Sequence, residues 1–214
     1  MDGLTGDLPP AEWAISKVMW KYPSCAETHT SIEAAISIAR DHRIEEGDVE
    51  FIELGFTPHM LPRLLLQVDR IPRTTFEAQF SIQFCAAVGL LDGAFGPEQV
   101  TDEKVKDPRV ARLMDKVKPF YAHRDFYSSP DQYILSSKEG VPHFAVVLTV
   151  KMRDGEEYTR KVLSARLPES DLVNKFRNNS KAVLKQQNIE KSINLVMGLE
   201  KLDDVTLLIE QLHD

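Results

Sequence analysis

A chain of 214 residues with 43% hydrophobic composition holds enough apolar material for one large domain or two small ones around a real core. Its formal net charge of -7 excludes the basic surface that neutralises phosphate backbones, so a soluble globular protein with no nucleic-acid partner is expected. Met1 to Asp7 show neither the basic nor the apolar region of a secretory signal, and no apolar run is long enough to span a bilayer. No membrane partner is expected, and the location should be intracellular and cytoplasmic, with a mitochondrial one left open.

Trp13 to Tyr22 mixes β-formers with single polar residues and stops at Pro23, which predicts a short strand running into a turn. Thr30-Ser31-Ile32-Glu33 has the spacing of a capping box. Ile32, Ala35, Ile36 and Ala39 then recur at helical intervals. Val49 to Phe56 reads as a strand. A second capping box, Thr74-Thr75-Phe76-Glu77, predicts one helix with Phe76, Phe80, Phe84, Ala87, Val88 and Leu91 on its buried face and Gly93 as its stop. Asp107-Pro108 opens a short helix through Val110, Leu113, Met114 and Val117.

Phe144 to Ser164 predicts a hairpin. Val146, Leu148, Val150 and Met152 alternate up to a two-residue turn at Asp154-Gly155, and Tyr158 and Val162 continue on the return. From about Pro168 the periodicity is helical only, through Leu172 and Phe176, then Ile189, Ile193 and Met197, then Val205, Leu208, Ile209 and Leu212. Asp203-Asp204 fits a cap for the last helix. The fold class is therefore α+β, a small antiparallel-containing sheet packed by helices over roughly 1–165, followed by a helical segment over 166–214. The apolar stripes of that segment predict self-association, a homodimer or other homo-oligomer.

Chemistry could sit between Lys21 and His29, which bracket a proline-stiffened turn just before the expected N-cap, Thr30. Helix N-termini favour anions, so Lys21 would give a point charge and His29 a hydrogen bond or a proton to a carboxylate or phosphate. The same pattern fits a solvated lysine and a histidine that satisfies a turn. Gln79 and Gln83 lie one helical turn apart around Ser81, placed to hydrogen-bond a polar ligand or to face water. His59, His123 and His143 lack cysteine or carboxylate neighbours at ligand spacing, so no metal is expected. Nucleotide-binding and serine-hydrolase motifs are absent, and no organic cofactor is expected. Cys25 and Cys85 are too few for a disulfide framework and read as buried thiols.

Together, Lys21-Tyr22-Pro23-Ser24-Cys25 with Thr28-His29, Glu77-Ala78-Gln79-Phe80-Ser81 running to Leu90-Leu91-Asp92-Gly93, the strands around Asp154-Gly155, Lys175-Phe176 and Leu199-Glu200-Lys201-Leu202 resemble the MmgE/PrpD family. That family includes 2-methylcitrate dehydratase, cis-aconitate decarboxylase and iminodisuccinate epimerase. The resemblance implies a lyase or isomerase of a small di- or tricarboxylic acid, with residues 1–165 as an α+β substrate lid and 166–214 as C-terminal helices of the family's helical domain. It implies Lys21 and His29 as catalytic residues and Thr30, Gln79 and Ser81 as substrate contacts. It further implies a separate N-terminal helical domain or subunit as partner, since the family draws an aspartate and a histidine from such a domain. Besides passing almost directly from Leu167-Pro168 to Glu169, where the family has a longer glycine- and proline-containing loop, the sequence departs from the family pattern at Lys21, which abuts Tyr22 so that either one residue is missing or Trp20 takes the lysine's place, and at Phe84, which stands where several members carry a tyrosine. These departures fit the alternative of a non-catalytic binding subunit.

Overall fold

The computed structural model describes residues 21–56, 71–121, 145–163 and 169–213. Contacts divide the chain into one unit over Tyr22–Ala165 and a second that takes in Arg166–Asp214 and Lys21. Most of the strand expected over Trp13 to Tyr22 lies outside the described residues, and Tyr22 itself sits in a bend.

In the first unit, helix α1 (His29–Asp41) is preceded by a 3-10 turn over Ala26–Thr28, so the N-cap is Thr28 and not Thr30. The capping-box pattern misleads here because the preceding turn already directs the backbone into the helix. Thr30 lies inside the first turn and is buried. Strand β1 (Val49–Phe56) has the expected bounds. A register shift between Val49 and Phe51 puts Val49 and Ile52 on the same buried side, although strict alternation would separate them.

The long helix expected from Thr74 is two helices. Thr74 caps α2 (Thr75–Ala78), its hydroxyl accepting from the Glu77 N–H at 3.2 Å. Ser81 then caps α3 (Ile82–Asp92) by accepting from the Phe84 N–H at 3.2 Å. The break corrects two expectations: Gln79 and Gln83 do not share a helix face, and Phe76 and Phe80 are 69% and 39% exposed while Phe84 is buried. Gly93 ends α3 with φ 62°, a left-handed conformation that glycine adopts without strain.

Two short helices follow, α4 (Asp102–Val105) and α5 (Pro108–Met114), the latter capped by the Asp107 carboxylate at 2.8 Å from the Arg109 N–H. Val117 does not extend α5. It begins β2 (Val117–Tyr121), which pairs in parallel with β1, Ile52 opposite Val117. β3 (Val146–Met152) and β4 (Glu157–Val162) form the hairpin, and four residues, Arg153 to Glu156, join the strands instead of two. The Gly155 N–H bonds the Met152 carbonyl at 3.1 Å, the Met152 N–H bonds the Glu156 carbonyl at 2.8 Å, and Gly155 takes φ 95° between them.

The sheet order is β2-β1-β3-β4, with β1–β3 and β3–β4 antiparallel. Ile52, Leu54, Phe56, Val146, Leu148 and Val150 line its buried face, against which α1 packs. The other face is polar: the Thr149 and Thr159 hydroxyls meet at 2.9 Å, and the Lys118 and Lys151 ammoniums lie 4.3 and 5.1 Å from the Phe51 ring centroid.

Helices α1 and α3 run side by side in the same direction. Thr28 reaches Cys85 near their starts, Ala35 meets Gly89 in the middle, and Ala39 lies by Gly93 at the end. Their N-termini therefore lie at one end of the pair.

The second unit contains α6 (Glu169–Ser180), α7 (Gln186–Met197) and α8 (Thr206–Ile209). Arg177 of α6 makes a two-pronged pair with Glu190 of α7, both bonds at 2.8 Å. Between the two helices runs an apolar groove of about 560 Å³, walled by Leu172, Phe176, Ile193 and Met197. Asp204 accepts from the Thr206 N–H at 2.9 Å, as its position before the last helix suggests. Among the described residues, no helix is long and apolar enough to cross a membrane.

Candidate functional site

His29 opens α1 and is 5% exposed. Its Nε2 lies 3.3 Å from the Ser24 carbonyl. A carbonyl only accepts, so Nε2 carries a proton, and in the neutral ring the lone pair falls on Nδ1. The Tyr22 ring stands edge-on to the imidazole, centroids 5.5 Å apart at 88°. Tyr22 is itself buried, and its hydroxyl donates to Glu33 Oε2 at 2.5 Å.

The turn that delivers His29 is held by hydroxyls. Thr28 Oγ1 lies 2.8 Å from both the Ser24 hydroxyl and the Cys25 carbonyl. This turn is tied to the break before α3, where the Cys25 N–H donates to the Gln79 carbonyl at 2.9 Å. Cys85, one turn into α3, is fully buried with Sγ 3.7 Å from the Ala78 carbonyl. Burial pushes its thiol up to about 12, partly offset by the Thr28 and Ser24 hydroxyls beside it. Cys25 is only part-buried, unlike the expectation for it.

The residues singled out from the sequence have separate positions. His29, Thr30 and Ser81 lie at the adjoining N-termini of α1 and α3, and all three are buried. The Ser81 oxygen already accepts from the backbone as a cap, and Gln79 contributes its carbonyl to the Cys25 N–H. Lys21 is part-buried and falls in the unit that contains the C-terminal helices. His59, His123 and His143 lie outside the described residues. Among the described residues, no group of three or more histidine, cysteine, aspartate or glutamate side chains is arranged to hold a metal ion.

Tyr22 and Glu33 were not singled out by spacing, because their contact joins residues on either side of the turn. Phe84 is fully buried and packs edge-on against Phe95 at 6.4 Å, so this position contributes ring packing and no hydroxyl.

A family model described as "MmgE/PrpD C-terminal domain" matches residues 22–201. The chain is similar to cis-aconitate decarboxylase from Homo sapiens, 26% identical over 208 residues that cover 88% of this chain and 38% of the relative. A similar match to cis-aconitate decarboxylase from Mus musculus is 26% identical over 207 residues, 87% of this chain and 37% of the relative. The chain thus spans less than two fifths of the length of these relatives. With its matched stretch running from residue 22 to 201, the chain belongs to the MmgE/PrpD family as its C-terminal domain.

Proposed function

We propose that this chain forms the C-terminal, substrate-facing part of a lyase or isomerase acting on a small di- or tricarboxylic acid, completed by an N-terminal helical domain or subunit. The observation that carries the reading is the burial of His29 at the start of α1, beside the start of α3, with its ring oriented by the Ser24 carbonyl. Two parallel helix starts favour negative charge at one place, and a histidine oriented there can move a proton next to a bound carboxylate. Lys21 supplies a point charge for a carboxylate, and Thr30, Gln79 and Ser81 supply polar contacts around it. Removal of the proton next to the carboxylate leaves an electron pair on carbon. Expulsion of hydroxide gives dehydration. Decarboxylation does not need that removal: departing carbon dioxide leaves its own electron pair on carbon, and the oriented histidine then delivers a proton to it, whereas return of an abstracted proton to the other face gives epimerisation.

Dehydration and epimerisation begin with loss of a carbon-bound proton and decarboxylation ends with uptake of one, so exchange with, or incorporation from, deuterium oxide is the common test. Citrate, cis-aconitate and related acids are incubated with the chain, alone and with a family helical domain added, and the carbon-bound protons are followed by NMR. The expected result is exchange that falls about 10²- to 10⁴-fold in His29→Asn, together with acid binding that Lys21→Ala abolishes. Exchange unaltered by His29→Asn, or no binding of any tested acid, would overturn the assignment. The buried Phe84, which offers no phenol, favours a second reading as a binding subunit without turnover. Binding of an acid with no exchange under any condition selects it.

A further inference from the structure

We propose that the apolar groove between α6 and α7 is the seat of this chain's own N-terminal segment, residues 8–20, which carries both of its tryptophans. The groove holds about 560 Å³, and none of its described lining residues is charged. That size and apolar character suit a bulky organic group. Val196 and Met197 on its wall are 51% and 61% exposed, an apolar surface that calls for a cover.

One lining residue is polar. Ser192 is 1% exposed, and its hydroxyl has no hydrogen-bond partner among the described residues. A hydroxyl buried in an apolar wall without a partner is unfavourable, so the fitting occupant is apolar over most of its surface and brings one donor. Indole has this form, a large apolar body with a single N–H that finds a partner when buried. The chain's two tryptophans, Trp13 and Trp20, both lie between Leu8 and Lys21. Ile15, Val18 and Met19 accompany them, and Glu12 and Lys17 are the charged residues of the stretch.

The path of the chain favours this occupant over one from outside. Residues 8–20 lie outside the described ones, but they lead directly into Lys21, and contacts place Lys21 in the unit that contains α6 and α7. The segment therefore sets out from the unit that carries the groove. Extended it reaches roughly 40 Å and as a helix roughly 20 Å, against roughly 18 Å for the length of α6 or α7. A short covalent tether gives a local concentration on the order of millimolar, which a separate partner has to exceed. Docked there, the segment holds the approach to Lys21 against the C-terminal helices. Neither a substrate nor the reading of His29 enters this inference.

The tryptophans make the segment its own reporter, since no other indole in the chain contributes. In the full chain at low concentration, their emission should lie to the blue of free tryptophan and be quenched by acrylamide severalfold more slowly. Val196→Glu puts a carboxylate on an exposed part of the wall, so with helicity retained the emission should move to the red and quenching should rise severalfold. Asn178→Glu, on α6 outside the groove lining, should leave both unchanged. Benzoylphenylalanine installed in place of Met197 and irradiated should join residues 8–20 of the same chain, as located by peptide mass mapping. If Val196→Glu costs helicity, the cross-link decides. Tryptophans as exposed as free indole, or an emission that Val196→Glu leaves unchanged with helices intact, overturn the proposal. So does a cross-link to any other segment, or one that joins two chains because a second copy fills the groove.

Discussion

The contact between Gly89 and Ala35 sets α1 and α3 against each other, and Gly89→Ala tests it directly. A Cβ built on Gly89 lands 2.9 Å from the Ala35 Cβ, 3.5 Å from the Ile32 carbonyl oxygen and 3.8 Å from Ile36 Cγ1. Carbon atoms at rest sit about 3.5–4.0 Å apart, so the helices must separate by roughly 0.6–1 Å at this point. Neither methyl has a torsion that could relieve the contact. Overpacking of this kind costs about 1–3 kcal/mol. Against it, alanine is favoured over glycine inside a helix by about 0.8–1.0 kcal/mol. The expected net loss is about 1 kcal/mol, seen as a lower urea midpoint with unchanged slope and a Tm lower by about 2–4 °C. Ala35→Gly removes the obstructing methyl, so the two substitutions together should show a favourable coupling of about 1–3 kcal/mol in a double-mutant cycle. A stability gain in Gly89→Ala, the result that helix propensity alone gives, refutes the reasoning, as does strict additivity with Ala35→Gly.

Four further outcomes are expected. Ser31 is fully buried on α1 with a hydroxyl that has no hydrogen-bond partner among the described residues, so Ser31→Ala should be neutral or stabilising by up to about 1–3 kcal/mol in urea unfolding, and a loss above 1 kcal/mol would contradict this. The Arg112 guanidinium, with the Lys116 ammonium, holds the Glu46 carboxyl below the usual carboxylate range. A lowered folded value means stability that is present above the unfolded value of about 4.3 and is lost as pH falls through the folded one, so Glu46→Gln should flatten the loss of stability below about pH 4. Burial keeps the Cys85 thiol at about 12, so a disulfide reagent at pH 8 should titrate one thiol, Cys25, in the native chain and both in denaturant. Val205, Leu207, Ile209 and Leu212 are all exposed, so the chain should self-associate in sedimentation, and Leu207→Glu with Ile209→Glu should shift it toward monomer.

Features set by neighbouring residues were legible in the sequence. The β1 bounds, the Gly93 stop, the Asp107 cap and the β3–β4 pairing each follow from a short window, and the structure keeps all four. The misreadings arose where two local signals competed or where the deciding contact was distant. The box at Thr74 and the apolar spacing from Phe76 to Leu91 are both genuine, but Ser81 supplies a second cap inside them and lacks the acidic residue three positions on that would mark it. β2 contains a proline and pairs in parallel with a strand some sixty residues earlier, so no turn signal announces it. At the site, His29 could be singled out from its place before a helix, whereas Tyr22 and Glu33 could not. Their bond spans eleven residues around a turn whose shape depends on the Thr28 and Cys25 hydrogen bonds.

The break at Gln79–Ser81 is the departure from sequence pattern that most affects the site. Continued from Thr74, the helix would place its free N–H groups roughly 10 Å further along its axis, at 1.5 Å per residue. Interrupted at Ser81, it starts level with α1, and the Gln79 carbonyl left over by the break receives the Cys25 N–H. The exposure of Phe76 and Phe80 follows from the same break, because α2 no longer presents the face that α3 buries. A helix-breaking residue within an apolar repeat loses hydrogen bonds and burial. Here the interruption sets a second helix start beside the buried His29, and restoring a continuous helix, as by Ser81→Ala with Phe80→Leu, should weaken carboxylate binding more than it weakens the fold.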